Sequence, residues 1–172
     1  MSSTLRLTDL STMHPRLLWN EIIAAAAAVL GEGNQSAPHP FQLDLEDLPG
    51  FGSGRLDWSL DTTGVSDAHV ERLRRTFESS RLVELAAIAI AGLGLYHGGG
   101  HEIMDVALRG TAADYLVDSS NYPLEIGGRS RRSDLKSAWQ QKWAQLAERR
   151  SSGFYLCIVE FETRTGRLAF AV

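Results

Sequence analysis

Two acidic residues in the middle of the chain have the type and spacing to do chemistry. In "ADYLVDSSNYPLEIGG", Asp114 and Glu125 lie on either side of Ser119 and Ser120. Folding the segment back at that pair puts Asp118 opposite Asn121 and Asp114 opposite Glu125. Directly opposed residues on one sheet face have Cβ atoms about 5 Å apart, so two carboxylates there repel unless a cation or a proton intervenes. A hard divalent ion, Mg2+ or Mn2+, suits such oxygen ligands, and an ion held there activates water and neutralises the charge of a phosphodiester. The alternative is that both acids face solvent at a sheet edge, which Pro123 in the second strand favours, and a one-residue slip would separate them.

Helices must hold this hairpin in place. In "SDLKSAWQQKWAQLAERR", about 3.6 residues per turn puts Leu135, Trp139, Trp143 and Leu146 on one face, with Lys142 at its centre and Lys136 at its flank. An ammonium on a core-facing stripe needs an anion. Asp114 and Glu125 can supply one; otherwise Lys142 runs along the tryptophans and keeps its charge in water. Ahead of the hairpin, "RLVELAAIAIAGLGLY" is apolar nearly all round, as in a buried helix, and Glu84 is its single acid. Arg129, Arg131, Arg132, Lys136 and Lys142 form a local basic patch just after the carboxylates.

Gly110 followed by Asp114, a short strand and then Glu125-Ile126-Gly127, with a buried helix before and an amphipathic helix after, resembles the core of the PD-(D/E)XK nuclease superfamily. The resemblance covers about the C-terminal half of the chain. It implies a restriction-endonuclease-like α/β fold, a mixed central sheet flanked by helices. It also implies an Mg2+- or Mn2+-dependent nuclease in which Asp114 and Glu125 hold the metal, Glu84 assists, and Arg129, Arg131 and Arg132 grip the nucleic-acid backbone. Gly127 stands where the superfamily pattern has lysine. Some members take that lysine from the following helix, which gives the role here to Lys142 or Lys136. The alternatives are a catalytically inactive nuclease-like subunit that binds or scaffolds within a larger assembly, of a defence or mobile-element system for example, and a small α/β interaction domain unrelated to nucleases.

The rest of the chain bounds these readings. Its 172 residues, 44% hydrophobic and 22% charged, fit one globular domain, divided here into an N-terminal helix and hairpin (1–65) and a nuclease-like core (66–172). The first helix is expected from Pro15 to Gly31 or Gly33, then a hairpin around "EDLPGFGSGR", then a helix capped by Ser66 that continues into the buried one. Strands are expected at 103–108, 114–118 and 122–126, a helix at 133–149, and a terminal hairpin of "FYLCIVEFE" with "RLAFAV". A net charge of −4 argues against a sequence-blind coat on nucleic acid and makes any such contact local. Target choice is then expected to come from a protein partner or a homodimer.

Cys157 is the only cysteine, so no internal disulfide forms, and its apolar surroundings suit a buried residue better than a nucleophile. The apolar stretch Leu85 to Leu95 is too short to span a bilayer, and the first residues lack a signal-peptide pattern, so a cytoplasmic protein without a membrane partner is expected. His97, His101 and Glu102 flank three glycines without helical ligand spacing. "HGGG" lacks the nucleophile elbow of a lipase-like hydrolase, and "GFGSGR" lacks the Lys-Ser/Thr of a P-loop.

Overall fold

The segment Phe154–Glu160 is buried at every position, and its surroundings explain why the sequence is apolar on both sides of the strand. Phe154, Leu156 and Ile158 pack under one helix, while Tyr155, Cys157 and Val159 belong to the larger core on the opposite face. A strand covered on both faces has no polar side to show. The computed structural model describes residues 2–34, 36–108, 113–149 and 153–172. In chain order the elements are β1 (Ser3–Arg6), α1 (Leu10–Met13), α2 (Asn20–Leu30), β2 (His39–Leu48), β3 (Gly52–Asp61), α3 (Asp67–Thr76), α4 (Ser79–His97), β4 (Ile103–Val106), β5 (Tyr115–Val117), β6 (Tyr122–Arg129), α5 (Leu135–Arg149), β7 (Phe154–Glu160) and β8 (Thr165–Ala171). The eight strands among the described residues form one mixed sheet in the order β1-β3-β2-β8-β7-β6-β5-β4, an α/β fold with helices on both faces.

The N-terminal hairpin is continuous with the rest. β2 pairs in parallel with β8, and β8 pairs antiparallel with β7, so residues 1–65 contribute three of the eight strands instead of forming an appendage. β1, which carries no strong strand pattern, closes the sheet by parallel pairing with β3. The helix expected from Pro15 is α2, and it starts later, at Asn20. Pro15 lies in a turn, and Trp19 Nε1 donates to the His14 carbonyl at 2.8 Å, folding the intervening loop back before the helix begins. The helix capped by Ser66 ends at Thr76, and extended backbone at Phe77 and Glu78 separates the solvated α3 from α4.

α4 is the core helix. It is the one described helix long and apolar enough to cross a membrane, yet most of it is enclosed by α2 and the sheet. Its approach to β6 depends on Gly128, where a Cβ would lie 2.6 Å from the Val83 carbonyl oxygen. Backbone cannot yield as a side-chain tip does. Gly128→Ala is therefore expected to cost about 2 kcal/mol, read as a lower urea midpoint, by forcing α4 off the strand beside the site described below.

His14 joins the same helix to the sheet. Its ring is fully buried, with Nε2 2.8 Å from the Gly92 carbonyl and Nδ1 3.0 Å from the Ile103 amide nitrogen. A carbonyl only accepts and an amide N–H only donates, so Nε2 carries the proton, Nδ1 is bare and the ring is neutral. Burial lowers its pKa, against the opposing pull of the Gly92 carbonyl and of Glu102 and Asp118. The unfolded chain therefore binds the proton more readily. This contribution to stability is complete above the unfolded value of about 6.5 and is lost as pH falls below it. Urea unfolding between about pH 7.5 and 5 should show that loss, and His14→Gln, which cannot titrate, should reduce it to the part that His39 and His97, also lowered by burial, contribute.

A candidate active site at the edge of β6

The β5–β6 hairpin has the register Tyr115↔Leu124, Leu116↔Pro123 and Val117↔Tyr122. The pairing stops one step short of Asp114 and Glu125, and at its other end the Asn121 amide donates to the Asp118 carbonyl at 3.0 Å to close the turn. Both turn residues adopt the left-handed conformation, with φ of 57° at Asp118 and 56° at Asn121, a geometry that Asp and Asn tolerate better than most residues. The short β5 strand leaves the next amide of β6 to a side chain: the Asp114 amide donates to the Leu124 carbonyl at 2.8 Å, and the Ile126 amide donates to Asp114 Oδ2 at 2.8 Å. The carboxylate thus takes over from the ladder where β5 stops.

Glu125 shares a sheet face with Leu156 and Ile158, the face covered by α5. Only 6% of it is exposed. Lys142 reaches in from α5, and its Nζ donates to Glu125 Oε1 at 2.5 Å. The helical stripe explains this aim: Trp139 and Leu146 anchor α5 to β7 and β8, which turns Lys142 toward β6. Trp139 and Trp143 stack with ring centroids 5.5 Å apart, and the Arg167 guanidinium lies over Trp139 at 4.2 Å, so both tryptophans serve packing. The position two residues after Glu125 is a tight place. A Cβ on Gly127 would come 2.7 Å from Ile158 Cδ1 on the same face.

Asp114, Glu125 and Lys142 line a cavity of about 500 Å³ together with Arg81, Glu84 and Arg129. Glu84 stands on α4, more than half exposed, and pairs with Arg81 at 3.0 Å. Asp114 is an exposed residue, but partial desolvation of its carboxyl at the cavity wall raises its pKa, opposed by the Ile126 N–H and Lys142 and reinforced by Glu84. Burial also raises that of Glu125, with the Asp114 charge adding to it and the Lys142 hydrogen bond opposing it. Two acids held uneasily beside one ammonium, with oxygen-only donors, have the chemistry of a hard-cation site. Among the described residues no three histidine, cysteine or acidic side chains already converge on one point.

Other expected residues fall elsewhere. Lys136 is exposed on the first turns of α5 and does not line the cavity. The reason is helical phase: six residues before Lys142, it is displaced to the outer side of the helix. Arg132 is held away from the cavity by the β7–β8 turn, where its side chain bonds Thr165 Oγ1 and lies 3.8 Å from the fully buried Glu160. Arg131 is exposed just before α5 and is not part of the cavity wall. Arg129 does line it, donating to its neighbour Gly128's carbonyl at 2.8 Å. Gly110 lies outside the described residues. Arg81 and Tyr115 are cavity residues that sequence reasoning passed over, although Arg81 stands in i,i+3 register with Glu84.

The histidines set aside from the sequence are structural. His101 bridges Asp118 Oδ2 at 2.8 Å and the Pro49 carbonyl at 2.6 Å, tying the carboxylate hairpin's turn to the β2–β3 turn. His97 packs edge-on against Trp58 and Tyr96. Cys157 is buried, and burial pushes its thiol up to about 12. Compared with protein-family models, curated proteins and solved structures, the chain gives no match.

Removing the Lys142 ammonium leaves the buried Glu125 charge without its donor. Lys142→Met is expected to cost about 2 kcal/mol near neutral pH, and less in acid where Glu125 is protonated. Raised carboxyl pKa values act in the opposite sense to His14. Their favourable contribution is present below the unfolded values of about 4 and is lost as pH rises through the folded ones. Asp114→Asn, which relieves the repulsion, should raise the metal-free thermal midpoint at about pH 8 and change it little near about pH 3.

Proposed function

We propose that the protein is a divalent-metal-dependent nuclease of the restriction-endonuclease-like kind. The observation that carries the reading is the convergence of Asp114, Glu125 and Lys142 in one cavity, from a hairpin and the helix that follows it. Asp114 and Glu125 are the donors for Mg2+ or Mn2+, with Glu84 in the wall of the same cavity as the assisting acid. Such an ion, when bound, supplies a lowered water pKa and charge neutralisation at the phosphate. Lys142 takes the part of the lysine missing at Gly127. Its ammonium opposes the burial that raises the Glu125 pKa and is the group that would stabilise an attacking hydroxide or a phosphate oxygen. Arg129 is the arginine placed to receive the backbone charge, with Arg131 and Lys136 outside the cavity as longer-range attraction. With a net charge of −4, substrate capture depends on this local patch. A protein partner or a second copy of the chain would then choose the target, in the cytoplasm.

One observation favours the second reading, an inactive nuclease-like binding subunit: the ammonium already occupies a Glu125 oxygen that a metal would claim. Calorimetric titration of Mg2+ and Mn2+ separates the two. Under the nuclease reading the wild type binds the metal and Asp114→Ala and Glu125→Ala lose at least tenfold in affinity, with cleavage of nucleic acid lost in parallel. Mg2+ at 100 times the wild-type Kd should also stabilise the wild type by about 2.7 kcal/mol and each variant by no more than about 1.4 kcal/mol. A wild type that binds no metal leaves the inactive-subunit reading.

A further inference from the structure

The cavity continues past the carboxylates and wraps the edge of the sheet. Asp114, Glu125 and Lys142 lie on the α5 side, whereas Arg81, Glu84 and Ile88 come from α4 on the other side. Between them runs β6. Its pairing with β5 ends at Leu124, and beyond that point no described strand pairs with β6 on this side. Strand alternation directs the Gly128 N–H toward the same edge as the Ile126 N–H, which Asp114 receives. The result is a slot between two helices with cations from each wall: Arg81 from α4, Lys142 from α5, and Arg129 from the strand itself.

Depth and polarity restrict what can enter. Glu125 is only 6% exposed, whereas Arg81 and Glu84 at the rim are more than half exposed. A duplex meets a protein edge with convex sugar-phosphate, its bases stacked and paired inside. The wall of the slot is not all charge, however. Tyr115, half-buried on the core, stands with Ile88, Ile126 and the exposed Val106 along one side. A phosphate has no use for an apolar wall. The face of an unpaired base does, and stacking on an aromatic ring tolerates any base. The volume of about 500 Å³ is that of a small-molecule pocket.

We propose that the substrate is an unpaired nucleic-acid strand laid across the open edge of β6 between α4 and α5, with a base against the Tyr115 wall and its phosphate toward Asp114 and Glu125. This rests on the metal site of the nuclease reading, because a phosphate approaches two carboxylates only across a bound cation, but not on cleavage.

The test uses a fluorescein-labelled oligodeoxynucleotide, single-stranded or annealed to its complement, and the oligoribonucleotide of the same sequence. Binding is followed by anisotropy in Ca2+ and cleavage in Mg2+. A single strand of one or both sugars should bind at least tenfold tighter than the duplex. Tyr115→Ala should lose about tenfold of that affinity, while Tyr115→Phe keeps it. Thermal midpoints are recorded for each variant; if the alanine variant fails to fold, Tyr115→Leu, which keeps the apolar volume without the aromatic face, should show the loss. Equal binding of duplex and single strand, or full single-strand affinity in Tyr115→Ala and Tyr115→Leu, overturns the inference. Duplex cleavage abolished by Asp114→Ala would overturn it and leave the nuclease reading standing. Tyr115-dependent single-strand binding without cleavage would support it and retire the catalytic reading.

Discussion

A carboxylate buried under a helix must have a cation or a proton, and Glu125 organises its neighbourhood around that requirement. The ammonium of Lys142 meets it at 2.5 Å, which fixes how α5 is rotated over β6 and β7. The apolar stripe of α5 is consistent with the same rotation, so packing and charge select one orientation of the helix together. Asp114 then adds a second negative charge beside the first, which no packing argument favours. Breaking a rule of stability at one spot while keeping it elsewhere is the usual mark of a functional site. Burial is the main cause of the raised pKa of each acid, and the Asp114 charge adds to that of Glu125.

The opposite face of β6 meets a different constraint. Gly128 lets α4 lie against the strand closely enough that its Arg81–Glu84 pair reaches the same cavity as the carboxylates. Adjacent glycines thus have separate uses: Gly128 makes room for helix backbone on one side, and Gly127 faces Ile158 on the other. A lysine at 127 would have to displace that isoleucine, and the amine arrives from α5 instead. Arg132 illustrates how an apparent basic patch divides on folding. It is drawn to the β7–β8 turn by Thr165 and the buried Glu160, whereas Arg129, three residues earlier, faces the cavity.

How much of this could be read in the sequence depends on the range of the interaction involved. The hairpin register needed only a turn position and a count of residues, and Lys142 needed only the helical period, so both were legible. Lys136 shared the same segment but not the same phase. The partners of Arg132 were not legible, because Thr165 is thirty-three residues away and nothing local announces the contact. The place of the N-terminal hairpin was hidden for the same reason: the pairing of β2 with β8 joins distant segments in parallel and leaves no turn or spacing to find. β1 is four residues long with a mostly exposed pattern, too little for periodicity to detect. Arg81 and Tyr115 were visible as residues, but their role required knowing that β5 ends early and opens an edge.

The central position of β8 has a consequence for the order of assembly. The eighth strand in the chain lies fourth in the sheet, between β2 and β7, so neither half of the sheet is complete until it arrives. During synthesis β2 and β3 can form their hairpin early, but the β2 edge stays open until residues 165–171 leave the ribosome. Closing a loop from β2 to β8 is a long-range event of the kind that slows folding and prolongs exposure of unpaired strand edges. A chain interrupted before β8 would therefore carry two part-sheets with matching edges, a form in which copies exchange strands or aggregate more readily than they fold.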